Sequence, residues 1–154
     1  VTEITKGSLE LSTAVSISTA PTDHRPVDPT IAFRFDYQES SVVVAGDTVP
    51  CTDLDQLCNG AKALVHTAIR KDIIETLPLQ RAKDILNYHS SVEEAAETAQ
   101  RAGMETLILT HYVPGIPPAE NEFHELVVQQ WRDRAAENFS GKVEIGDDLL
   151  KISL

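Results

Sequence analysis

The chain has 154 residues, 42% hydrophobic and 24% charged, which is the size and make-up of one globular domain with its own core. Thirteen Lys and Arg stand against 24 Asp and Glu, a net charge of −11, which argues against a basic nucleic-acid-binding face. No apolar run reaches the ~18 residues that cross a bilayer and no targeting peptide is evident, so the cytoplasm is the expected location.

The first third reads as β. Residues 8–20 alternate apolar and polar, with Leu9, Leu11, Val15 and Ile17 spaced mostly on one side. A turn-rich stretch from Pro21 to Pro29 follows. Ile31–Tyr37 and Ser41–Ala45 then flank Gln38-Glu39-Ser40, the pattern of an antiparallel hairpin. From about residue 52 strands alternate with helices. Asp53–Asn59 fits a short helix ended by Asn59-Gly60, and Ala63–His66 a short buried strand. Residues 70–87 look helical with a break at Pro78. Ser90 or Ser91, each with a Glu three residues on, caps a helix that stops at Gly103. Thr106–Thr110 reads as a buried strand. The Pro-rich loop Pro114–Pro118 leads to an amphipathic helix over roughly 121–138, and Val143–Ile145 and Leu149–Ile152 close the chain as strands. The sum is one layered α/β unit, with helices covering a sheet. Cys51 and Cys58 are too few for a disulfide framework and too far apart for a close zinc pair; they read as small buried side chains.

The residues that carry chemistry gather where strands run into loops. Asp47 follows the Val42–Gly46 run, His66 ends Ala63–Val65, His111 ends Leu107–Thr110, His24 lies in the turn after the first β segment, and His89 just precedes a helix cap. Strand ends in layered α/β folds collect ligands because a rigid sheet positions short side chains there. Imidazole with carboxylate suits zinc and similar divalent metals. Each residue also has a plainer reading: a hydrogen-bonded polar group for the histidines, an Asx turn for Asp47. His124 reads as surface and Trp131 as packing.

Taken together, Thr22–Val27, Ala32–Phe35, Val44–Thr48, Leu64–Ala68, Tyr88–Ser91 and Leu109–Tyr112 resemble the metallo-β-lactamase superfamily, most closely its ribonuclease Z and arylsulfatase-like branch. The resemblance implies an αββα sandwich of which residues 1–154 form the carboxy-terminal half, a mixed sheet with covering helices. It implies that His24 completes a first metal site, that Asp47 bridges two metals, and that His111 belongs to the second. His89 matches a non-ligand histidine near the scissile group, a proton donor or oxyanion stabiliser. The expected cofactor is zinc, two ions per complete site, with manganese or iron also accepted by such ligands.

The chain departs from that pattern in two ways. The family's His-x-His-x-Asp-His cluster is absent from these residues, and Thr67 stands after His66 where the family usually has Glu. The resemblance therefore implies a partner that carries the cluster, a second polypeptide left by cleavage or splitting, with self-association as another way to cover an open sheet face. A cleaved product, a remnant and a natural half all fit. Between His24 and Asp47 lie only residues 25–46, too few for the long arm that often grips transfer RNA. With the acidity, this favours a small ester, lactone, sulfate or phosphodiester and no nucleic acid or membrane. The alternatives are an RNA-processing phosphodiesterase of the ribonuclease Z type and a metal-free interaction domain.

Overall fold

The computed structural model describes residues 3–10 and 14–154. Among the described residues, seven strands form one sheet in chain order: β1 Gly7–Glu10, β2 Val15–Pro21, β3 Ile31–Tyr37, β4 Ser40–Val44, β5 Ala63–Ile69, β6 Thr106–Val113 and β7 Lys142–Ile145. The first three pairings are antiparallel and the last three parallel. The division follows the connections: a hairpin can join antiparallel strands, whereas parallel neighbours need crossovers. Those crossovers carry α1 Thr52–Cys58, then α2 Lys71–Ile74, α3 Gln80–Asp84 and α4 Val92–Ala102, and finally α5 His124–Ala136. The α/β class and the mixed sheet are as expected.

The helices cover one face. Ala20, Ala32, Val43, Ala45, Leu64, Ala68, Leu107 and Leu109 point into it and meet Leu54 and Cys58 of α1, Ala95, Ala96 and Ala99 of α4, and Val128 and Trp131 of α5. Alanines on both sides let α4 lie close to the strands. Trp131 is fully buried, edge-on to Tyr112 and under the Arg70 guanidinium. The opposite face carries Phe33, Phe35, Val42 and Val44 in register, with Phe35 and Val44 each 37% exposed. Residues 147–154 lie along part of it, where Leu150, Ile152 and Leu154 share a cavity with Val42, Val65 and Ile108.

Three expectations are corrected. The β segment of residues 8–20 is two strands, with Leu11 and neighbouring positions outside the described residues. Residues 70–87 form two short helices and a 3-10 turn, because Pro78 interrupts a segment with few buried side chains to hold it. Leu149–Ile152 forms no strand: Leu149 takes φ +64°, incompatible with extended pairing, and is 96% exposed.

Candidate metal centre

Three loops at one end of the sheet bring the predicted residues together. His24 sits in the β2–β3 connection, Asp47 follows β4, and His89 lies just before Ser91, which caps α4 with a reciprocal Glu94 capping box. The loops are stitched by groups that sequence reasoning passed over. The Thr48 hydroxyl, fully buried, accepts from the Asp23 N–H at 3.0 Å and donates to the Val49 carbonyl at 2.7 Å. The Ser90 hydroxyl donates to the Thr48 carbonyl at 2.7 Å. Thr67, where a Glu was looked for, donates to the Gly46 carbonyl at 3.0 Å and so holds the turn that presents Asp47. Gly46 takes φ +68°, the left-handed conformation that glycine adopts without strain. Hydroxyls at positions 48, 67 and 90 were visible in the sequence, but only tertiary pairing gives them a task.

The imidazoles are oriented by backbone carbonyls. His24 Nδ1 donates to the Tyr88 carbonyl at 2.7 Å and His89 Nδ1 to the Ile85 carbonyl at 3.0 Å. Fixing Nδ1 as the protonated nitrogen leaves Nε2 with its lone pair free, the form in which histidine ligates metal. Donor atoms of His24, Asp47 and His89 all lie within 4.8 Å of one another. His89 Nε2 is 3.8 Å from Asp47 Oδ2, and His111 Nδ1 is 4.0 Å from Asp47 Oδ1. These gaps exceed a hydrogen bond, yet suit two ligands on a shared ion with bonds of ~2.0–2.2 Å. Asp47 Oδ1 is buried and has no hydrogen-bond partner. A buried carboxylate oxygen left bare costs free energy unless a cation or donor meets it, so the residues present fit a metal.

The expected trio of His24, Asp47 and His111 is thus gathered at one place, but the tightest group contains His89 in place of His111. The hydrogen bond from Nδ1 to Ile85 turns His89 inward, whereas the His111 side chain is 56% exposed at the outer edge, on a residue with φ +50°. His66 is not at the site edge. It lies within β5 on the helix-covered side, fully buried, with Nδ1 donating to the Thr67 carbonyl at 2.6 Å and Nε2 unpartnered. Burial holds its pKa below the ordinary imidazole value. His124 is half-buried at the start of α5, its Nδ1 donating to the Pro117 carbonyl at 2.7 Å, so it is more than a surface residue.

The model of the beta-lactamase superfamily domain matches residues 1–112. The chain belongs to that superfamily. Its relatives place it on the ribonuclease Z branch. Ribonuclease Z of Mycobacterium avium (strain 104) is 57% identical over all 154 residues, which correspond to 52% of that protein. Ribonuclease Z of Mycobacterium tuberculosis (strain H37Rv) is 56% identical over the same span, 54% of its length. The chain therefore spans about half the length of these relatives. Among solved structures, the metallo-beta-lactamase fold protein YhfI from Bacillus subtilis superposes with a TM-score of 0.66 at 22% identity, over 92% of this chain and 49% of that one. Human tRNase Z, short form, gives 0.61 at 21% identity, over 95% of this chain and 44% of its own. Both likenesses confirm the superfamily fold. The relatives' names favour the expected alternative, an RNA-processing phosphodiesterase, over a small substrate. Relatives 57% identical along the whole chain are called ribonuclease Z, a name that stands against the expected absence of a nucleic-acid partner. No helix among the described residues is long and apolar enough to cross a membrane.

Proposed function

We propose that this chain is the carboxy-terminal half of a metal-dependent phosphodiesterase that processes RNA. The observation that carries the reading is the convergence of His24, His89 and His111 on one carboxylate, with two of the rings already held by carbonyl acceptors. The relatives named ribonuclease Z supply the substrate class. His24, Asp47 and His111 are assigned as ligands, with Asp47 offering one oxygen to each side of the site.

Two divalent ions, zinc by preference, would supply Lewis-acid polarisation of the phosphoryl group and a more acidic water. The remaining chemistry belongs to the chain. Asp47 and the fixed rings hold their geometry before substrate arrives, so little reorganisation is needed at the moment of reaction. His89 keeps its Nδ1 proton on the Ile85 carbonyl; a second proton taken up at Nε2 would pass from there to the leaving oxygen, returning the ring to its neutral form. Three chain ligands for two ions leave each under-coordinated, since a catalytic zinc takes about three protein ligands. We assign the rest to a His-x-His-x-Asp-His cluster in sequence outside these 154 residues, in keeping with relatives about twice as long. The open face of Phe33, Phe35, Val42 and Val44 is the surface on which that half packs.

The test is metal-loaded protein that includes the upstream cluster, assayed on an RNA with a 3′ extension and on aryl esters. Cleavage of the RNA, lost on His111→Ala, supports the reading. Ester hydrolysis without RNA cleavage overturns the substrate class, and a folded protein that takes up no metal overturns the chemistry.

A further inference from the structure

A cavity of about 500 Å³ opens beside His111, between the end of β6, the loop 114–119, the first turns of α5 and the loop after β7. The volume lies in the range of small-ligand sites. Two contacts hold parts of its wall. The His124–Pro117 hydrogen bond ties the loop to the helix, and Gly146 is pressed on β6, where a Cβ would meet Ile108 and the Leu109 carbonyl at 3.0 Å. The Gly146 N–H donates to that carbonyl at 2.8 Å. This pressure sets Asp147 and Asp148 into the lining. Asp147 Oδ1 accepts from the Asp148 N–H at 3.0 Å, while Oδ2 has no hydrogen bond among the described residues. Asp147 also lies near the Tyr112 hydroxyl, whose pKa burial and then that carboxylate push up to about 12.

The charges decide what fits. Glu125, Asp147 and Asp148 line the cavity against one arginine, Arg132, which already faces Glu144 at 4.0 Å. Such a lining repels a run of phosphates and favours a neutral group rich in N–H donors. An RNA whose phosphodiester sits at the His111 side carries such a group one ribose away: a nucleobase with an exocyclic amine. A carboxylate accepts from the cytosine N4 amine, and opposes the uracil O4, which is itself an acceptor.

We infer that the cavity formed by Tyr112, the 114–119 loop, His124 and Asp147 is a base-binding subsite selecting an amine-bearing base, cytosine above all, over uracil. The inference rests on the phosphodiesterase reading for what delivers the base, and its test does not use cleavage. Cytidine and uridine are titrated separately, in the presence of a chelator, into isotopically labelled protein that includes the upstream half, and the amide resonances of Gly115, His124 and Asp147 are followed. Cytidine shifts them at a concentration at least about fivefold lower than uridine. Asp147→Asn keeps the oxygen that accepts from Asp148 and puts an N–H donor in place of the free oxygen, so the preference vanishes or inverts with the fold intact. Equal shifts by both nucleosides, or shifts confined to other parts of the chain, overturn the subsite and leave RNA cleavage by the metal-loaded enzyme to stand or fall separately.

Discussion

The same hydrogen bond is used at the candidate metal centre and in the core, to different ends. His24, His89 and His66 each donate Nδ1–H to a backbone carbonyl, at 2.7, 3.0 and 2.6 Å. At the loop ends the freed Nε2 atoms of His24 and His89 meet at a carboxylate whose own oxygen is bare. Inside β5 the freed Nε2 of His66 is buried and has no hydrogen-bond partner. Orientation by a carbonyl is therefore not what makes a ligand. Convergence on Asp47 is what sets the candidate site apart from the core histidine, and it depends on three loops being held in register by hydroxyls.

Removing the convergence point breaks the comparison most severely. Asp47→Ala takes away the one carboxylate that His24, His89 and His111 share, so zinc affinity falls by more than the roughly 10–100-fold that loss of an outer partner costs. Competition against a chromophoric chelator reads the change. An unchanged affinity would mean that the histidines bind metal without Asp47 and that the site is placed elsewhere.

The hydroxyl stitching comes next. Thr48→Val conserves shape but leaves the Asp23 N–H without its acceptor beside His24. A buried donor so orphaned costs about 1–3 kcal/mol, seen as a lower urea midpoint. Because His24 follows Asp23 directly, zinc affinity drops about tenfold as well. A loss of stability with affinity untouched would show that the loop holds His24 by other means.

How much of this was legible in the sequence follows from the range of each interaction. The hairpin of β3 and β4, the Ser91–Glu94 capping box and the Gly103 stop are local, and residues within a few positions specify them. His24, Asp47 and His111 could be picked out as a set by family resemblance, although they are remote in sequence. The inward turn of His89 could not, since it depends on the Ile85 carbonyl and on the broken helix before it. Nor could the placement of His66: a short apolar run ending in His looks like a strand end, while β5 in fact continues to Ile69.

That buried ring provides a pH test. The neutral form is the one the core accommodates, because burial depresses the folded pKa. The unfolded chain takes up a proton near the ordinary imidazole value of ~6.5. The contribution of His66 is thus complete above that pH and is lost as pH falls from there toward the depressed folded value. The drop in urea midpoint between pH 7.5 and 5.5 should be smaller in His66→Leu than in the wild type. Equal drops would mean that the ring gains a proton donor or solvent access in solution.

The smallest effect separates helix stability from site geometry. Ser91 accepts from the Glu94 N–H at 3.2 Å, and the Glu94 carboxylate accepts from the Ser91 N–H at 2.8 Å. Ser91→Ala removes half of this exchange and costs about 1 kcal/mol, as cap losses do. Position 91 is only two residues from His89, so a cap that merely terminates the helix and a cap that aims the ring make different forecasts. The ring is held from the other side, by Ile85, and the neighbouring Ser90 is anchored to Thr48. Zinc affinity should therefore stay within about twofold while the urea midpoint falls, since the first turn of α4 frays without moving either anchor. A parallel loss of affinity would place the capping box among the groups that hold His89 toward Asp47.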